Sequence, residues 1–153
     1  VAPDAGVNPA LVARDPQFAL AAAAGPVVWL SFALALGVRP DPAWAFFAHP
    51  AGFFGLAVAW PIAEEGLFRG VIQPAFARTR GGAREAWGVT TANVATSVLF
   101  AVAQLFAHAP AWALAAVAPS LVFGYFRDRY GSIVPGTALH IFYNCGWFLI
   151  LGT

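Results

Sequence analysis

The strongest constraint on this chain is where its charges fall. Glu64, Glu65 and Arg69 stand inside Pro61-Ile62-Ala63-Glu64-Glu65-Gly66-Leu67-Phe68-Arg69-Gly70, directly after Gly52–Trp60, which carries no charge at all. At the middle of a bilayer an ionisable group costs roughly 2.5–3.5 kcal/mol on insertion scales, so it must be paired or used. Composition makes the bilayer the medium to consider. Of 153 residues, 60% are hydrophobic and 10% charged, and mean hydropathy is +0.71. Soluble domains carry about 25% charged residues. The reading is an all-α, polytopic membrane helical bundle.

Five apolar segments approach the roughly 20 residues that cross a bilayer: 17–37, 51–77, 89–109, 111–126 and 133–152. Residues 1–16 form a polar, Pro-rich lead-in without a signal-peptide pattern. Residues 17–153 read as one membrane domain. Pro26 and Gly25 are expected to kink the first span, and Pro61 to loosen the second one turn before Glu64. The aromatic segment 43–50 (Trp44, Phe46, Phe47, ending at His49) reads as interfacial. Trp87 and Trp112 join Trp44 as expected interface anchors, with Trp29, Trp60 and Trp147 as packing.

Arg14, Arg78, Arg80, Arg84, Arg127 and Arg129 fall on one side of a five-span topology and only Arg39 on the other. The positive-inside rule then places the N-terminus and the loops 78–88 and 127–132 in the cytoplasm of a multi-pass cell-membrane protein. On this view Arg127, Asp128 and Arg129 set topology. The net charge of +1 gives no electrostatic case for a nucleic-acid partner. Cys145 is the single cysteine, so no intrachain disulfide forms.

Helical rise, about 1.5 Å per residue, gives depths from the cytoplasmic ends. Glu64, Gln104 and Asn144 come out at roughly 20, 22 and 16 Å, His140 at roughly 10 Å and His108 at roughly 28 Å. Three helices thus deliver polar groups to one layer, with His108 near the outer edge. Glu65 and Arg69, four apart, share a face and can pair, while Glu64 points about 100° away. His140 and Asn144 share a face, as do Gln104 and His108. Set against this is a plainer reading: Glu64, Glu65 and Arg69 as a buried structural network, His140 and Asn144 as bridges between helices. Asn93 is expected to cap or cross-bond the third span. Glu64, His108 and His140 are possible metal ligands, yet no His-Glu-x-x-His or Cys-x-x-Cys spacing is present.

Taken in order, Glu-Glu-x-x-x-Arg (Glu64, Glu65, Arg69), Phe100 with Gln104 four residues on, and His-x-x-x-Asn (His140, Asn144) resemble the CPBP family. These are the CAAX prenyl endopeptidases and their bacterial relatives, glutamate-type intramembrane proteases. The likeness covers about 50–152 and includes Ser97–Ala101 and Gly124–Ser132. It implies Glu64 as the base that activates a water, a second-motif residue that helps hold the water, and His140 with Asn144 on the oxyanion. Glu65 and Arg69 become an orienting pair. No cofactor is implied, and the substrate is a membrane-associated protein or peptide. The run from Arg69 to Asn93 is similar to bacterial members tied to C-terminal sorting signals.

One position departs from the pattern: the family has histidine where Gln104 stands. Glutamine hydrogen-bonds a water but cannot take its proton. Either Gln104 holds that place in an impaired site, or His108 serves one turn further on. Three functions follow: an endopeptidase, a non-catalytic binder of the same fold, and a proton-coupled transporter. No inverted repeat supports the last.

Overall fold

A computed structural model describes residues 7–37 and 49–151. Most of the expected interfacial segment, Trp44 included, lies outside the described residues. The chain is mostly helical, in keeping with the all-α expectation. Its one sheet among the described residues is a two-stranded ladder.

Helix α1 (Pro9–Ala13) is followed by α2 (Pro16–Leu36). Asp15 caps α2, accepting the Gln17 N–H at 2.9 Å, and Pro16 supplies a preset φ at its first position. Gly37, at φ 65, closes it in the left-handed conformation. Pro26 lies inside α2 without ending it. Among the described residues α2 is the helix long and apolar enough to cross a membrane.

Residues 50–77 are helical throughout, but not uniformly α. α3 (Pro50–Phe54), α4 (Trp60–Leu67) and α5 (Gln73–Ala77) are joined by single π-helical turns at Gly55–Ala59 and Phe68–Ile72. Each π turn lies just before a proline, Pro61 or Pro74. A proline ring clashes with the carbonyl four residues back and brings no N–H. The wider turn accommodates that clash.

Helix α6 spans Thr91–Gln104, α7 Pro110–Ala115, α8 Val117–Tyr130 and α9 Val134–Leu151. Two expected segments need correction. The third apolar segment, 89–109, is helical only over α6. At its start Val89 and Thr90 belong to a hairpin, and the Thr90 hydroxyl caps α6 by accepting the Asn93 N–H at 3.0 Å. At its end Pro110 forbids helix at Ala109, which sits at ψ 149. The fourth segment runs past 126 to Tyr130, because Arg127 and Arg129 favour the negative end of the helix dipole and Gly131, at φ 66, provides the stop.

The hairpin, unforeseen inside the loop 78–88, pairs β1 (Glu85–Ala86) with β2 (Val89–Thr90). Its two-residue turn holds Trp87 at φ 58 and Gly88 at φ 80. A two-residue hairpin turn of this hand needs both residues left-handed, which costs a residue with a Cβ about 1–2 kcal/mol.

The chain forms two compact units, one comprising Glu64–Thr137 and the other Asn8–Ala63 with Ala138 onward. In the first, Phe68 meets Phe100 edge-on at 5.1 Å, and Phe123 and Phe126 are fully buried. α6 and α8 approach closely at Gly124, where any Cβ would run into the Asn93 amide. The second unit is held by aromatic packing on glycine. The Trp29 ring occupies the space a Cβ at Gly146 would need and meets Phe142 at 5.0 Å. Tyr143 donates its hydroxyl proton to the Ala21 carbonyl at 2.6 Å. Trp147 packs on Phe32 at 5.5 Å. Trp60, expected as packing, is instead 60% exposed.

Candidate active site

The run 50–77 fixes the first group of side chains. Positions 65, 69 and 73 recur every four residues, so Glu65, Arg69 and Gln73 fall on one face, and all three are fully buried. Arg69 Nε lies 3.4 Å from Glu65 Oε2. Arg69 Nη2 donates to both the carbonyl and the hydroxyl of Ser120 on α8, at 2.7 and 2.6 Å. The guanidinium also faces the Phe100 ring, 5.3 Å from its centroid. One turn on, Gln73 Nε2 donates to the Gly124 carbonyl at 3.0 Å and to Asp128 Oδ1 at 2.8 Å. The other Asp128 oxygen accepts the Thr90 hydroxyl at 2.7 Å. Asn93 Nδ2 completes the set by donating to the Leu121 carbonyl at 2.9 Å, the cross-bond expected of it.

This buried set ties the Glu64-bearing helix to α6 and α8. Of this set the sequence alone points to the Glu65–Arg69 pair and the Asn93 cross-bond. Gln73 was legible as the next position on the same face. In sequence Asp128 looks like a topology charge, and its partners, 38 and 55 residues away, leave no local signal.

The π turns add a second device. In the turn Phe68–Ile72 the Gln73 N–H bonds to the Phe68 carbonyl, five residues back. The Arg69 carbonyl loses its usual donor, and Pro74 has no N–H to replace it. Arg127 Nε takes that carbonyl at 3.0 Å. The second unit repeats the pattern. The Trp60 N–H bonds to Gly55, Pro61 has no N–H, and Asn144 Nδ2 donates to the Leu56 carbonyl at 3.3 Å.

Glu64 faces differently from Glu65. It is half-buried, and its Oε1 accepts a hydrogen bond from Gln104 Nε2 at 2.9 Å. Two of the candidate residues are therefore in direct contact. His108 lies beyond the end of α6 and is exposed. Past Gln104, Leu105, Phe106 and Ala107 bond to carbonyls three residues back, and the His108 N–H bonds to the Gln104 carbonyl at 2.8 Å, ahead of Pro110. His140 and Asn144 belong to the second unit, four apart on α9, with His140 buried and Asn144 half-buried. Among the described residues no three His, Cys, Asp or Glu side chains gather as a metal-binding set.

Neither curated proteins nor solved structures give a significant match to the chain. A family model does. Residues 44–146, about two thirds of the chain, match the family described as type II CAAX prenyl endopeptidase Rce1-like, over nearly the same stretch in which the sequence motifs lie. The match takes in the buried Glu65–Arg69 pair, the Glu64–Gln104 contact and the His140–Asn144 turn, and it covers more than half of the sequence. The chain therefore belongs to the type II CAAX prenyl endopeptidase Rce1-like family, a family of membrane-embedded proteases.

Proposed function

We propose that this chain is an intramembrane endopeptidase in which Glu64 activates a water to cleave a membrane-associated protein or peptide. The observation that carries the reading is the division of labour between neighbouring carboxylates. Glu65 is sealed against Arg69, whereas Glu64 is half-buried and oriented by Gln104 at 2.9 Å. An oriented carboxylate that is not sealed by a cation is what a general base needs.

In the proposed reaction Glu64 takes a proton from water as the water oxygen adds to the scissile carbonyl carbon. His140 and Asn144 are assigned to the resulting oxyanion, where side-chain donors contribute a few kcal/mol. An amide has two N–H donors, so the Leu56 contact leaves Asn144 one to offer. The C–N bond then breaks, and Glu64 passes its proton to the leaving amine.

The membrane setting is read as multi-pass with a cytoplasmic N-terminus. α2, with 21 residues, is about 32 Å long, and α9, with 18, about 27 Å, close to the hydrocarbon thickness. α6, with 14 residues, is about 21 Å and does not span that thickness alone.

A second reading rests on Gln104 itself. Its amide donates to Glu64 but cannot accept a water proton, which favours a member that binds a substrate segment without cutting it. One assay separates the two. Membrane-anchored candidate substrates are incubated with the purified chain, with Glu64→Ala and with Gln104→His. The peptidase reading expects cleavage that disappears in Glu64→Ala and rises in Gln104→His by about 100-fold, the low end of the range for an added proton acceptor. Binding without cleavage in the original chain, converted to cleavage by Gln104→His, supports the binder. No cleavage by any of the three contradicts the peptidase.

A further inference from the structure

We propose that the segment from Arg78 to Thr90 is a docking element for the membrane surface. In it Arg80 and Arg84 hold the phosphate of an anionic phospholipid headgroup, and Trp87 enters the interface beside them. The proposal rests on the membrane reading above, but not on the peptidase chemistry.

A cavity of about 250 Å³ opens between the end of α5 and the start of α6, walled by Phe76, Thr79, Arg80, Gly82, Arg84 and Thr91. Its charged groups are two guanidiniums, and no carboxylate lines it. Among the described residues neither arginine makes an ion pair. Arg84 is folded over Gly81, its Nε 3.6 Å from where a Cβ would stand. The backbone nearby is already committed. The Thr91 N–H bonds to the Arg84 carbonyl, the Ala92 N–H to the Gly82 carbonyl and the Asn93 N–H to the Thr90 hydroxyl. The first-turn amides of α6 are therefore used, and the guanidiniums are the donors left for an anion. Their planar forks match phosphate oxygens.

The element is built rather than slack. Gly82 N–H bonds to the Thr79 carbonyl and Arg84 N–H to the Gly81 carbonyl, and the hairpin closes the rest. That rigidity presents Trp87 at the tip, fully exposed and in a left-handed conformation that tryptophan rarely adopts. An exposed indole serves little purpose in water, whereas tryptophan is enriched where a membrane meets water. A lone phosphate ion would make no use of Trp87. A zwitterionic lipid would bring its own cation into the basic patch. An anionic phospholipid uses both features.

The test reads lipid rather than cleavage. The full chain in detergent is titrated with phosphatidylglycerol, phosphatidylcholine and inorganic phosphate, and bound species are counted by native mass spectrometry. Phosphatidylglycerol is expected to be retained about fivefold or more over phosphatidylcholine, and Arg80→Gln/Arg84→Gln to lower that retention about tenfold. Arg14→Gln/Arg129→Gln, which removes the same charge outside this segment, changes it less than about twofold. Thermal unfolding confirms that both double variants fold. In parallel, brominated phosphatidylglycerol quenches tryptophan fluorescence in the original chain, and Trp87→Ser lowers that quenching. Equal loss in the two double variants, equal retention of the two lipids, displacement by inorganic phosphate at matching concentration, or quenching unchanged in Trp87→Ser would each overturn the proposal.

Discussion

Glu64 and Glu65 are adjacent in sequence, carry the same group and sit on the same helical run, yet they live in different surroundings. Glu65 is fully buried and shares its face with Arg69 and Gln73, which reach Ser120, Gly124 and Asp128 on α8. Glu64, a helical step around, is half-buried and meets a neutral amide from α6. One face fastens three helices together; the other leaves a carboxylate held but reachable. A step of about 100° around a helix is enough to give adjacent carboxylates different partners and different burial.

The comparison can be broken on either face. The largest effect is expected from Glu64→Gln, which keeps shape and hydrogen bonding but cannot accept a proton. Cleavage should fall by about 10²–10⁴-fold, while the unfolding midpoint in detergent stays where it was. Arg69→Leu attacks the other face. It strands Glu65 without its cation and should cost about 3–5 kcal/mol of stability, read by denaturant or thermal unfolding. Gly124→Ala pushes a methyl into the Asn93 amide and should cost about 1–3 kcal/mol. Smallest is Thr90→Ala, which removes the α6 cap and one Asp128 partner, for about 1 kcal/mol. If any of the last three abolished cleavage while leaving stability intact, the division between the two faces would be wrong.

Much of this arrangement was legible in the sequence. The spacing of Glu65 and Arg69 specified their pairing, and hydropathy located α2, the run 50–77 and α9. Pro61 signalled a loosened helix, although the π turn, its freed Leu56 carbonyl and the donation from Asn144 needed coordinates. Other features escaped for physical reasons. Hydropathy does not register a hydroxyl cap or a proline beyond a helix end, so the apolar segment 89–109 is longer than α6 at both ends. The hairpin places tryptophan where backbone propensity argues against it. Asp128 finds Gln73 and Thr90 across the fold, a relation no local spacing encodes.

The claim that Glu64 is the working base is tested most directly in the Gln104→His chain, where the proposed chemistry should run fastest. The measurement is the initial rate at which that variant and its Glu64→Gln derivative cut a membrane-anchored reporter, each normalised to folded protein. The account expects the derivative to be slower by about 100-fold or more. Equal rates would show that the bond is broken without Glu64.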